Sequence, residues 1–293
     1  MESVPTRIVD ERRLELGEGP SYDALTDTAA WFDILGRTLY EMPLSTGTVT
    51  AHALPRMASE IAAIDATRQL LAMEDGLYIR DRASGALTLH LPLEADDPNT
   101  RSNDGNVHPS GALWVGTMGK GAEREAGTIY HYRKGVLTPL YRDISIPNAI
   151  AFTEDGRTGY FCDTVVNKLM RVALDPATGL PIAEPELFHD QTQHEGGLDG
   201  ACVARDGTLV IACWSAGSLL VLSPSGETLR TIEVPSSQPT CPAFIGRKAD
   251  RLLVTTAWEH MTPDQQSTDA SAGMTFILDI GLEGRHVPQV VIE

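Results

Sequence analysis

Long apolar runs are missing from this sequence of 293 residues. No stretch approaches the roughly 20 apolar residues of a membrane helix. The opening MESVPTRIVDERRLEL has no apolar segment of the kind a secretory signal carries. Cysteine is scarce. Cys162, Cys202, Cys213 and Cys241 show no CxxC spacing and each sits in an apolar run, which predicts reduced core thiols rather than ligands or disulfides. A cytoplasmic location is the expectation. Basic residues are outnumbered, 23 Lys and Arg against 40 Asp and Glu, for a net charge of −17. That balance repels nucleic acid and anionic membrane surfaces, so neither is expected as a partner. It suits a cation, a small neutral substrate, or simply a soluble surface. GxSxG, phosphate-loop, HExxH and EF-hand motifs are absent. The eight histidines have no paired ligand spacing, and Ser215 in CWSAG lacks a nucleophile-elbow context. Helical periodicity is missing throughout, which excludes a parallel βαβ architecture.

What is present is a repeat. One apolar pattern recurs as WFDI, LLAM, LWVGTM, YFCDT, LVIACW and LLVTTAW. A second follows each at a distance: TLYEMPL, LYIRDR, TIYHYR, KLMRVAL, SLLVLSP and TFILDI. Turn sequences such as STG, ASG, ATG and PSG follow the second pattern, and Asp-Gly or Ser-Gly often precedes the first. Each unit reads as four strands, and six units with a period of about forty residues describe propeller blades. The fold class expected is all-β: a six-bladed β-propeller with four-stranded antiparallel blades, filling residues 1–293 as one domain. The segments 7–16 and 286–293 are the two ends of the chain and are expected to pair within one blade, removing exposed edges.

Phasing the repeats on the first-turn glycines Gly111, Gly156 and Gly207 places Asn103, Asn148 and Asp199 eight residues earlier. The other repeats give Glu18, Glu60 and Cys241 in the same phase. The first strand of each blade lines the channel, so these six form a ring at one end of it. Polar strand starts are common, but converging carboxylates and amides on a narrow axis is costly unless something compensates them. A hard divalent cation does so through oxygen ligands. Asp104, before Gly105, reads either as a turn residue or as a reserve base. Arg101 reads either as a surface ion-pair partner or as a substrate contact. Trp114, Trp214 and Trp258 end or flank second strands and read as inter-blade packing.

The segments LGEGPSYD, RSNDGNVHPSGALWVGTM, IPNAIAFTEDGRTGYFCDT and GGLDGACVARDGTLVIACW resemble the SMP-30/gluconolactonase/luciferin-regenerating enzyme family over nearly the whole chain. The resemblance implies a six-bladed propeller and one divalent metal ion held by Glu18, Asn148 and Asp199. It implies substrate contacts from Arg101 and Asn103, and hydrolysis of a sugar lactone as the activity. After the third-blade TM, where a member of the family carries a substrate-binding Glu, this chain has GKGAEREAG. Glu123 and Glu125 lie near that position.

Among the ring carboxylates, Asp199 is the expected general base as well as a ligand, with glycines around it in GGLDG allowing close approach of water and substrate. A carboxylate and amide set accepts calcium, magnesium, manganese, zinc or ferrous iron. The competing readings are a non-enzymatic cation-binding propeller and a propeller esterase or phosphotriesterase.

Overall fold

The computed structural model describes residues 1–293. Six antiparallel four-stranded sheets form a six-bladed β-propeller. Blade one is β2 (Gly17–Asp23), β3 (Thr28–Asp33), β4 (Thr38–Pro43) and β5 (Thr50–Ala53). Blade two is β6 (Ala58–Ala63), β7 (Arg68–Met73), β8 (Gly76–Asp81) and β9 (Leu87–Pro92). Blade three is β10 (Thr100–Val107), β11 (Leu113–Gly119), β12 (Gly127–Arg133) and β13 (Val136–Ile144). Blade four is β14 (Pro147–Phe152), β15 (Thr158–Asp163), β16 (Lys168–Ala173) and β17 (Glu186–Asp190). Blade five is β18 (Gly197–Val203), β19 (Leu209–Trp214), β20 (Ser218–Leu222) and β21 (Thr228–Glu233). Blade six is β22 (Pro239–Ile245), β23 (Arg251–Thr256), β24 (Thr275–Leu278) and, on its outer edge, β1 (Thr6–Asp10).

The sequence within each blade follows from its distance to the axis. Inner strands are enclosed on both faces, so β14 reads PNAIAF and every residue is buried. Outer strands meet solvent, so β9 has no buried residue and β5 has none either. The inner strands touch one another around the ring, each against the next, with β22 returning to β2. Where they crowd the axis, cross-strand register places only small residues: Ser21, Ala62, Gly105, Ala151, Ala201 and Ala243. No single core exists. Six apolar clusters fill the six gaps between neighbouring blades, with Trp31 buried between blades six and one and Trp114 between three and four.

Ring closure differs from the sequence expectation. The N-terminal β1 does complete blade six, by pairing with β24. The C-terminal segment forms no strand beside it. It runs beneath the channel instead, with Gly284 N bonded to Ala249 O, Val290 N to Ala63 O and Val291 N to Gly111 O. It ties blades six, two and three together, and its own edge is satisfied by those bonds rather than by a sheet. One short helix also appears, α1 (Pro263–Thr268), started by a Thr262/Gln265 capping box with Pro at its first turn. No helix is long and apolar enough to cross a membrane. All four cysteines are free, and three of them are buried.

Candidate functional site at one mouth of the channel

Every inner strand carries one extra residue relative to its partner, and the bulge always falls near the residues singled out by repeat phase. The shifts lie between Glu18 and Ser21, Ser102 and Gly105, Asn148 and Ala151, and Leu198 and Ala201. In blades two and six they fall earlier, before Glu60 and before Cys241. Bulges re-aim side chains, and here they sort the six into two groups. Glu18 and Asn148 stand just ahead of their bulges, and Asn103 and Asp199 stand inside theirs. Glu60 and Cys241 stand beyond theirs. Both line a cavity of about 390 Å³ that opens at the opposite end of the channel, and none of Glu18, Asn103, Asn148 and Asp199 lines it. Repeat phase therefore misplaces Glu60 and Cys241. Counting residues from the turn is blind to where the extra residue sits. It is also blind to turn length: the blade-four turn spans Thr153 to Thr158, whereas the blade-five turn spans Ala204 to Thr208.

The local backbone explains two sequence features. Gly19 has φ +54°, and a Cβ there would lie 2.1 Å from Ser59 O. Its blade-four counterpart is Ala149, at φ +54° and fully buried, so the bulge beside Asn148 holds a non-glycine residue in a disfavoured region. Gly200 has a different purpose from the one expected of GGLDG. A Cβ there would lie 2.3 Å from Cys241 Sγ, so the glycine admits the neighbouring blade rather than substrate.

A hydrogen-bond chain orients the polar groups. Arg101 Nη1 donates to Asn103 Oδ1 at 2.8 Å, Asn103 Nδ2 donates to Asn148 Oδ1 at 3.0 Å, and Asn148 Nδ2 donates to Thr164 Oγ1 at 2.8 Å. The Thr164 hydroxyl in turn donates to Leu198 O at 2.7 Å. Arginine can only donate, so the direction of both amides is fixed from that end. The carbonyl oxygen of Asn148 is thereby held on the Asn103 side with a lone pair to spare. Glu18 accepts only from Gly19 N, at 3.0 Å, and the Asp199 carboxylate accepts from no side chain.

The electrostatics are those of buried negative charge that Arg101 compensates only in part. Burial, then the charge of Asp104, pushes the Glu18 carboxyl up to about 8. Burial, then Glu18 and Asp104, holds Asp199 well above the usual carboxylate range. Asp104 is pushed up to about 7 by burial, although Ile150 N donates to it at 2.7 Å. Asp104 is thus a strand residue within the β10 bulge, not a turn residue, and it sits between the two ends of the channel. Arg101 is buried and forms no surface ion pair. Burial lowers its pKa against the opposing charges of Glu259, Glu18 and Asp199. No three His, Cys, Asp or Glu side chains come close enough to form a metal centre by themselves. Glu18, Asp199 and Asn148 offer two carboxylates and one amide oxygen at this mouth, beside the Asn103 amide and the Glu259 carboxyl.

Repeat phase could not reach three further residues at this mouth. Glu259 lies in the loop after β23, and its carboxyl is raised by burial while facing Arg101. Thr164 follows β15 and holds Asn148. Trp214 ends β19. Position after a second strand is their only shared signal. Glu123 and Glu125 are exposed, and Glu123 accepts from Gly121 N within its own loop.

The raised carboxyls have a consequence for stability. Glu18 moves from 4.5 to about 8, so without a bound cation the folded chain holds more protons than the unfolded chain across that window. Stability is then present at low pH and is lost as pH rises through the window. We expect the melting temperature of chelator-treated protein to fall by several degrees from pH 5 to pH 8.5, at about 2–4 °C per kcal/mol for a domain of this size. A divalent ion should reverse the fall. A flat metal-free profile over that range contradicts the charge arrangement described.

Residues 16–258 match the SMP-30/Gluconolactonase/LRE-like region. An L-arabinolactonase of Azospirillum brasilense is 31% identical, with 92% of this chain and 90% of that protein covered. A pentonolactonase of Haloferax volcanii is also 31% identical, with 96% of each covered. Among solved structures, a calcium-binding protein, regucalcin, from Agrobacterium tumefaciens is 49% identical, has a TM-score of 0.96, and covers 99% of this chain with 98% of its own.

Proposed function

The chain belongs to the SMP-30/gluconolactonase/LRE-like family, and on that footing we propose that it opens a sugar lactone to the sugar acid, using a divalent metal ion held by Glu18, Asn148 and Asp199. It is an enzyme, a lactonase. The observation that carries the metal reading is the presence, at one mouth, of two buried, charge-destabilised carboxylates and an amide oxygen whose direction is fixed by its bond from Asn103. That donor set fits a hard divalent ion, and the solved relative named as calcium-binding supports it. Such an ion, when bound, polarises the lactone carbonyl and acidifies water.

The chain's own residues supply the rest. Asp199 takes the proton from the attacking water as the oxygen bonds to the lactone carbon; its buried carboxylate accepts from the Gly200 backbone but from no side chain. The ring C–O bond then breaks, and the same carboxyl returns the proton to the departing oxygen. Arg101 uses one nitrogen on Ser102 O and Asn103 Oδ1, which leaves its other donors for a substrate oxygen. Asn103, held by Arg101, is positioned beside it. A pH-stat panel of aldonolactones and aldarolactones tests the reading. Acid release on none of them overturns it.

Replacing Arg101 with alanine should raise KM about 10- to 100-fold, the scale of a charge-assisted hydrogen bond, with a smaller change in kcat. Part of that loss comes through Asn103, which loses its acceptor-side anchor. A variant matching wild type in both constants on the best lactone removes Arg101 from the site.

A further inference from the structure

We infer that Trp214 forms a subsite at the active mouth, where its indole face takes the C–H face of the sugar ring and its N–H donates to a ring hydroxyl. This rests on the lactonase reading above. The four indoles of the chain differ in what they do. Trp114 Nε1 donates to Gly179 O at 3.0 Å, and Trp258 Nε1 donates to Arg13 O at 3.1 Å. Trp31 Nε1 is sealed within the protein. Trp214 alone is half-buried with an indole N–H that has no partner in the protein. A tryptophan that keeps part of its surface and its donor available is suited to a ligand with one apolar face and polar edges.

Its location fits that use. Trp214 pairs with Gly197 at the mouth end of blade five, two residues from Asp199. On β19, Cys213 packs into the gap toward blade four, whereas Ala212 faces blade six, and alternation puts Trp214 on the blade-six side. The indole then reaches past its own blade and packs against the cluster containing Leu16 and Ala257. Those two residues form a bridge, two positions ahead of Glu18 and of Glu259 respectively. Trp214 therefore walls the mouth between the blade of Asp199 and the blade of Glu18. Simple inter-blade packing does not account for a reach across blade six with the donor left unpaired.

The test compares wild type, Trp214→Phe and Trp214→Ala on a sugar lactone, D-glucono-1,5-lactone, and on the unsubstituted ring, δ-valerolactone. Trp214→Ala should raise KM about tenfold on the sugar lactone with kcat little changed, and raise it by less on δ-valerolactone, which keeps a C–H face but has no ring hydroxyl for the indole N–H. Trp214→Phe keeps the face and should recover most of that loss. Intrinsic fluorescence gives a readout independent of turnover: gluconate should change the emission of wild type, and the change should vanish in Trp214→Phe. Equal effects on both lactones, unchanged KM, or a gluconate response that persists in Trp214→Phe overturn the inference. If wild type hydrolyses no sugar lactone, the lactonase reading fails, and the gluconate titration still decides the subsite. If Trp214→Ala does not fold, the Trp214→Phe comparison alone decides it.

Discussion

Asp199→Asn should lower kcat by roughly 10² or more, the usual scale for loss of a general base, while most of the metal remains bound. The substitution keeps an oxygen of similar reach and removes the proton acceptor. Asp199 is suited to the role because its carboxyl is buried inside the β18 bulge and accepts only from the following backbone N–H, with no side chain holding it. Its pKa is raised by burial and by Glu18 and Asp104, so the ionised form is costly until positive charge arrives. Kinetics and metal content measured on the same preparation separate the roles. Metal loss together with activity loss shows a ligand only. Near-normal kcat removes the base assignment, and Asp104→Asn becomes the variant to measure.

Stripping the metal with chelator should reduce the lactonase rate to below about one hundredth of the loaded enzyme's, with recovery when a divalent ion is restored. Without it, Glu18 and Asp199 oppose one another in a buried mouth, and protonation of one relieves them. The protonated site has neither the charge to polarise a carbonyl nor a free base. Glu18→Gln should weaken metal retention and shift the recovery curve to higher ion concentration. Calcium, magnesium, manganese, zinc and ferrous iron are each to be compared, since two carboxylates and one amide do not discriminate strongly among them. Full activity in demonstrably metal-free protein overturns the metal reading.

The blades and the strand order within them were legible because both depend on short-range pattern: apolar runs, Gly turns and a recurring spacing. Glu18, Asn103, Asn148 and Asp199 were legible for a related reason. Residues in repeat phase recur near one height on the channel whatever the contacts between blades. Glu60 and Cys241 were not correctly placed, because their bulges fall one step earlier and turn them toward the cavity at the other end. Spacing from a turn does not register where the extra residue sits. Glu259, Thr164 and Trp214 were out of reach because their neighbours are distant in sequence and belong to other blades.

An all-β chain of six similar units, with oxygen-bearing side chains on successive inner strands, is written in the local pattern of residues. Those properties reside in local periodicity and need no knowledge of what packs on what. Which of those side chains share a mouth, which way each amide points, and what closes the ring depend on how the blades pack against one another. The amide direction comes from a chain running from Arg101 through Asn103 and Asn148 to Thr164, across blades three and four. The closure comes from β1 on blade six and a C-terminal segment laid beneath the channel. Each is a contact between residues far apart in the chain, set by one-residue bulges and by shape, and such contacts exist only once the blades have packed.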